Sequence, residues 1–96
     1  MDDDQFEWDN NKAVANWKKH GITFRQATKV FDDPIAFEKI DEREDYGEER
    51  INLIGMYDGI ILHVTYTERG ERIRLISARK AKKHERNYYY YRQKAP

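Results

Sequence analysis

The side chains in this sequence that could do chemistry are concentrated late in the chain. Arg69, Arg72, Arg74, Arg79, Lys80, Lys82, Lys83 and Arg86 fall in one basic stretch, with His63 and Tyr66 just upstream. Arginine stays charged and grips a phosphate through paired N–H donors. On a strand, Arg72 and Arg74 share one face while Ile73 and Leu75 share the other. With Tyr66 on a neighbouring strand, that face could hold a phosphodiester. The blander reading is a solvent-facing set on a half-exposed sheet. His63, inside an apolar run, reads first as a packed, hydrogen-bonded residue. Trp8 and Trp17 read as core. The run Tyr88 to Tyr91 could stack on bases, although a helix packed on a sheet accounts for at least two of those rings.

Other chemistries lack their residues. There is no glycine-rich phosphate loop. His20, His63 and His84 are isolated in sequence, and there is no cysteine, so neither a thiolate metal site nor a disulfide scaffold is available. No metal and no cofactor is expected. Asp32-Asp33 stands before Pro34 and reads as turn chemistry.

The 96 residues make a single domain, 1–96. Charged residues make up 38% of the chain, but 39% hydrophobic content with 14% aromatics still supports a small core. No apolar run approaches the roughly 20 residues that span a bilayer. The acidic start MDDDQ has the wrong sign for a targeting peptide, so a cytoplasmic protein with no membrane association is expected. The zero net charge conceals an asymmetry. Residues 1–50 carry 8 basic and 14 acidic side chains, and residues 51–96 carry 10 and 4. The basic half suits a local anionic target, or else it simply faces the acidic half.

These residues need elements to position them. Phe6 and Trp8 alternate with Gln5 and Glu7 as in a short strand. Asp9 is placed to cap a helix over 10–19, with Ala13, Val14 and Trp17 as its apolar face and Gly21 as its left-handed stop. Thr23 and Gln26 have capping-box spacing, which opens a second helix over 24–31 lined by Phe24, Ala27, Val30 and Phe31. Strands follow over 35–40, 51–57, 60–67 and 72–77. Asp58-Gly59 signals a two-residue hairpin, and residues 68–71 form another turn. Residues 41–49 read as a charged connection with Tyr46 as its apolar anchor. A basic helix is expected over 79–92. The order is β-α-α-β-β-β-β-α: an α+β fold with an antiparallel sheet, two N-terminal helices, a C-terminal helix, and the helices on one face.

Four segments in this order also resemble a known family. FEWDNNKAVANWKKHGITF (6–24), ATKVFDDP (27–34), EERINLIGM (48–56) and VTYTERGERIRLISARKA (64–81) are similar to the BrnT toxins of type II toxin–antitoxin systems. The resemblance implies a RelE-like fold and metal-independent RNA cleavage that arrests translation. It also implies a BrnA-like antitoxin whose ribbon-helix-helix part binds operator DNA, the two chains forming a hetero-oligomer. The polar family positions fall on Tyr66, Glu68, Arg69, Arg74, Ser77, Arg79 and Lys80. Position 66 is often histidine in the family. At 82 and 85 the family carries Thr or Ser and then Glu, a helix cap; here the pair is Lys82 and Glu85, so the last helix is expected to fray or start elsewhere.

The resulting expectation is attack of a ribose 2′-OH on its phosphate. Arg74 and Arg79 hold the phosphate, with Arg69 next. Tyr66, its pKa lowered by neighbouring arginines, serves as base or acid, and Glu68 is an alternative base. Lys80, Lys82, Lys83 and Arg72 bind the RNA backbone. The competing reading is a non-catalytic interaction module, or an inactive toxin acting with a DNA-binding repressor.

Overall fold

A computed structural model describes residues 5–43 and 47–94. Its elements are β1 (Phe6–Glu7), α1 (Asn10–His20), α2 (Phe24–Lys29), a 3-10 turn (Val30–Asp32), β2 (Phe37–Ile40), β3 (Ile51–Tyr57), β4 (Ile60–Arg69), β5 (Arg72–Lys80) and α3 (Lys83–Lys94). Tyr46, the proposed loop anchor, lies outside the described residues.

The strands form one sheet in the order β1-β5-β4-β3-β2. The run β2 to β5 is the expected antiparallel meander. Its β3–β4 turn has Asp58 at φ 52° and Gly59 at φ 76°, the two left-handed residues that a type I′ hairpin requires. The expectation of a wholly antiparallel sheet is corrected at one edge, because β1 pairs with β5 in parallel. No hairpin ties these two strands. Their relative direction follows from the route through α1, α2 and the far edge of the sheet.

The local start and stop signals act as the residue chemistry dictates. The Asp9 carboxylate accepts the N–H groups of Asn11 and Lys12, and Gly21 at φ 71° closes α1 by donating its N–H to Trp17 O. Thr23 and Gln26 form the reciprocal capping box of α2. The buried face of α1, however, is not the expected one. Val14 and Trp17 are more than half exposed, while Asn16 is buried. The Asn16 amide donates to Ala78 O (2.8 Å) and Ile22 O (3.0 Å) and accepts the Ala78 N–H (3.0 Å). It thus satisfies the β5 edge beyond the reach of the two-residue β1.

Two clusters fill the two faces of the sheet. Phe6, Phe24, Ala27, Val30, Leu53, Leu62, Val64, Tyr66, Leu75 and Ala78 join the sheet to α1 and α2. On the opposite face Ile54, Ile61 and Ala81 pack with Tyr89 of α3. The helices therefore lie on both faces, not one. Asp33 ties the two sides together. Its carboxylate accepts the Met56 N–H (2.7 Å), the Tyr89 hydroxyl (2.7 Å) and the Ile35 N–H (3.0 Å). The last of these is the turn chemistry expected before Pro34.

Candidate active site

His63 and the arginines of β4 and β5 share the face away from α1 and α2, whereas Lys80, opposite Leu62, points to the other face. Arg79 pairs with His63 across the strands, Ser77 with Thr65, Arg74 with Thr67 and Arg72 with Arg69. Strict alternation would place Arg74 and Arg79, five residues apart, on opposite faces. A β-bulge prevents that. Thr65 pairs with Ser77 and Tyr66 with Leu75, so Ile76 is an extra residue in β5. The bulge resets the alternation and brings Arg79 onto the face of Arg72 and Arg74. The strand also runs through Lys80, so Arg79 and Lys80 belong to the sheet and not to the last helix.

Arg79 is the centre of a partly buried charged cluster. Its guanidinium grips Glu85 bidentately, with Nη1 2.9 Å from Oε1 and Nη2 3.1 Å from Oε2. His63 Nε2 stands 3.8 Å from Glu85 Oε2. Glu85 also accepts the backbone N–H of Lys82 at 2.7 Å. The glutamate half of a capping box is thus present at the start of α3 although the usual Thr or Ser is Lys82. The helix begins at Lys83, not at 79, and its first turn is anchored to the sheet. Burial alone would raise the Glu85 carboxyl, but the bonds from Arg79 and the Lys82 amide outweigh it and hold the pKa down to about 2. Burial, followed by the Arg79 charge, pushes the His63 imidazole below its ordinary value, which leaves it neutral at pH 7.

This cluster forms part of the wall of an open groove of about 980 Å³. Asn52, Ile54 and His63 line its sheet side. Phe37, Lys39 and residues 41–43 stand on one flank, with Arg79, His84, Glu85 and Tyr88 on the other. Arg43 is itself held by Asp41, with Nε 2.9 Å from Oδ1 and Nη2 2.8 Å from Oδ2.

The other expected site residues are dispersed. Arg74 donates to Glu7 (2.7 Å), and Arg72 to the carbonyl of Phe6 (3.0 Å). Arg69 sits at the hairpin end, 3.5 Å from Glu48. The acidic half thus meets the basic half at these three arginines. Lys80, Lys82 and Lys83 are exposed; Lys82 and Lys83 stand at the start of α3, while Lys80 is on the α1 and α2 side of the sheet, like Tyr66. Tyr66 is on the opposite face, buried against Phe31 with ring centroids 5.1 Å apart, and its hydroxyl donates to Glu38. Burial and that carboxylate raise its pKa, the reverse of the expected lowering. Glu68 is in β4 rather than a turn, exposed and on the same side as Tyr66. The structure therefore does not bring Tyr66 or Glu68 to Arg74 and Arg79.

His63 and Glu85 were not among the expected site residues. A lone histidine in an apolar strand gives no signal of its own. The Glu85 signal was its three-residue spacing from Lys82, which reads as a broken cap rather than as a ligand for Arg79. Among the described residues, no group of three or more His, Cys, Asp or Glu side chains is placed to hold a metal ion. No helix among them is long and apolar enough to cross a membrane.

Comparison with known proteins agrees with the resemblance. Residues 8–85 match the family described as ribonuclease toxin, BrnT, of type II toxin–antitoxin system. A search of curated proteins finds no match.

Proposed function

From the BrnT family of ribonuclease toxins, to which this chain belongs, we propose a metal-independent endoribonuclease that works in the Arg79 groove. The family brings an RNA target and an antitoxin partner with it. The observation that carries the site is the His63–Arg79–Glu85 cluster in the groove wall.

In the proposed step, the ribose 2′-oxygen attacks phosphorus. The O2′–P bond forms as the P–O5′ bond breaks, leaving a 2′,3′-cyclic phosphate and a 5′-hydroxyl. Arg79 has a permanent charge and more N–H donors than Glu85 uses, so it stabilises the developing phosphorane charge. His63, neutral at pH 7, takes the 2′-OH proton. Glu85 holds both side chains in place. The leaving oxygen takes its proton from water or from His84, which lines the same groove. Lys82 and Lys83 bind flanking phosphates, as do Arg74, Arg72 and Arg69, which continue the basic track along the face. Their ion pairs with Glu7 and Glu48 are partly exposed, so they are weak enough for a phosphate to displace. Tyr66, Glu68 and Lys80 are left out of this mechanism because they lie across the sheet. A BrnA-like ribbon-helix-helix antitoxin on operator DNA, and a RelE-like fold, remain part of the proposal on the strength of the resemblance.

The test is RNA cleavage by the purified chain, on naked RNA with a chelator and in a translating extract. Cyclic-phosphate ends in the chelated reaction are expected. Arg79→Ala should lose at least about 100-fold in rate. Full activity in both Arg79→Ala and Arg74→Ala would overturn the site assignment. Absence of cleavage in either reaction by folded protein would instead favour the non-catalytic module.

A further inference from the structure

We infer that the same groove stacks one unpaired nucleobase on the ring of Tyr88, so that the substrate is taken as single-stranded RNA. The inference rests on the RNA-cleaving reading of the groove and adds a subsite to it.

The argument begins with the four consecutive tyrosines of α3, which the helix sends in different directions. Tyr89 is buried, and its hydroxyl donates to Asp33 (2.7 Å). That anchor fixes the helix against the sheet. Tyr90 meets Tyr89 edge-on. Tyr88 instead lines the groove and is 52% exposed. A large ring that is half exposed inside a concave site is a platform awaiting a flat partner. Its setting is already aromatic. Phe37 of β2 meets Tyr88 edge-on at 5.1 Å and 81°, and Tyr91 lies nearly parallel to it at 6.3 Å and 23°. The Arg92 guanidinium sits 4.7 Å over the Phe37 ring. These contacts restrain the Tyr88 ring while leaving it half exposed, and a base would pack on that exposed surface.

Spacing supplies the second half of the argument. Tyr88 stands three residues after Glu85, so the two share one face of α3, about one turn or ~5.4 Å apart. Glu85 is the residue that holds Arg79. The ring and the proposed phosphate ligand therefore open onto one groove from neighbouring turns of the same helix face, an arrangement suited to a phosphate and a nearby base of one strand. Base–aromatic stacking is sequence-tolerant because every base offers a π-face. In a duplex both faces of each base are covered by neighbouring pairs, so an unpaired base is required.

The experiment uses the full chain and a short single-stranded RNA carrying 2-aminopurine. Full 2′-O-methylation of this probe prevents cleavage. Wild type and Tyr88→Phe should bind it and quench its fluorescence. Tyr88→Ala should bind about tenfold or more weakly and lose the quench. Trp17→Ala, an exposed aromatic substitution on α1, should match wild type. Annealing a complementary strand dims 2-aminopurine by stacking, and the protein should quench that duplex probe no further. In cleavage assays Tyr88→Ala should raise KM far more than it lowers kcat. Quenching and affinity unchanged in Tyr88→Ala would overturn the inference even if the chain cleaves RNA. Quenching that depends on Tyr88, in a chain that cleaves nothing, would sustain the subsite and overturn the catalytic reading. Failure of folded wild type to bind the probe would overturn the subsite.

Discussion

Arg79 and Asn16 show how much can depend on one side chain at this size. Arg79 holds the first turn of α3 to the sheet through Glu85 and is also the proposed phosphate ligand. Its structural and catalytic roles separate in Arg79→Lys. Lysine keeps the charge but loses the bidentate fork, so cleavage should fall while the far-ultraviolet spectrum stays native. Asn16 is purely architectural. Its amide answers the N–H and C=O of Ala78 inside the core, and removing it strands both. Asn16→Ala should therefore cost about 2–4 kcal/mol, the penalty for leaving more than one buried polar group unpaired. Urea unfolding measures this, and an unchanged midpoint would show that water replaces the amide. Gly55 makes the complementary point about space. A Cβ there would lie 2.7 Å from Val30 Cγ1 and 2.8 Å from Ala36 Cβ, so Gly55→Ala should destabilise by about 1–3 kcal/mol through overpacking. Neither Asn16 nor Gly55 was legible in the sequence. An asparagine on a helix and a glycine in a strand acquire meaning only from the residues that face them.

At the scale of elements, β5 and α3 build the site together. The bulge at Ile76 turns Arg79 to the groove side, and α3 then closes on it through Glu85. The start of α3 lacks a capping hydroxyl at position 82. Lys82→Thr would add one while preserving the Glu85 bond to the backbone N–H. Stability should rise by about 0.5–1.5 kcal/mol, seen as a higher thermal midpoint. The same variant reports on Lys82 as a phosphate ligand. If it only binds RNA backbone, affinity should fall modestly and the salt dependence should become shallower. Capping, turn types and the meander were legible because each depends on residues within four positions of one another. The bulge was not. It requires knowing how β5 registers on β4, and no residue type in RLISARK announces it.

For the whole molecule, acid should loosen the fold in two stages. His63 is held below its ordinary 6.5 in the folded state. Below pH 6.5 the unfolded chain therefore takes up a proton that the folded chain resists, and stability falls. Glu85 is depressed from 4.5 to about 2. Its contribution is complete above pH 4.5 and is lost as pH drops toward 2. Asp33 shifts the same way: burial opposes the change, but its bonds from Met56, Tyr89 and Ile35 prevail. Denaturant titrations across pH should show both losses. His63→Gln should remove the upper one and Glu85→Gln most of the lower one. A profile identical to wild type in either variant would discount that group. Charge is organised at this scale too. Glu7 and Glu48 from the acidic half meet Arg72, Arg74 and Arg69 of the basic half, so the protein masks part of the proposed anion-binding track.

The sequence by itself determined that there are three helices, the antiparallel meander of β2 to β5 and the family, though not where α2 ends or α3 begins, because these rest on local periodicity, capping spacing and four ordered segments. It also located the basic stretch. Only the tertiary structure decided which of those residues share a surface. Tyr66, three residues from His63, faces the core beneath α1 and α2. Glu85, dismissed as part of a broken cap, reaches Arg79. The parallel pairing of β1, the exposed Trp17 and the burial of Tyr89 rather than its three neighbours were settled there as well. The physical reason is common to all of these. Strand alternation and helical rotation assign each side chain a direction only relative to its own element. Which direction meets core, solvent or groove depends on strand register and packing between elements distant in sequence, and a one-residue bulge suffices to reverse it.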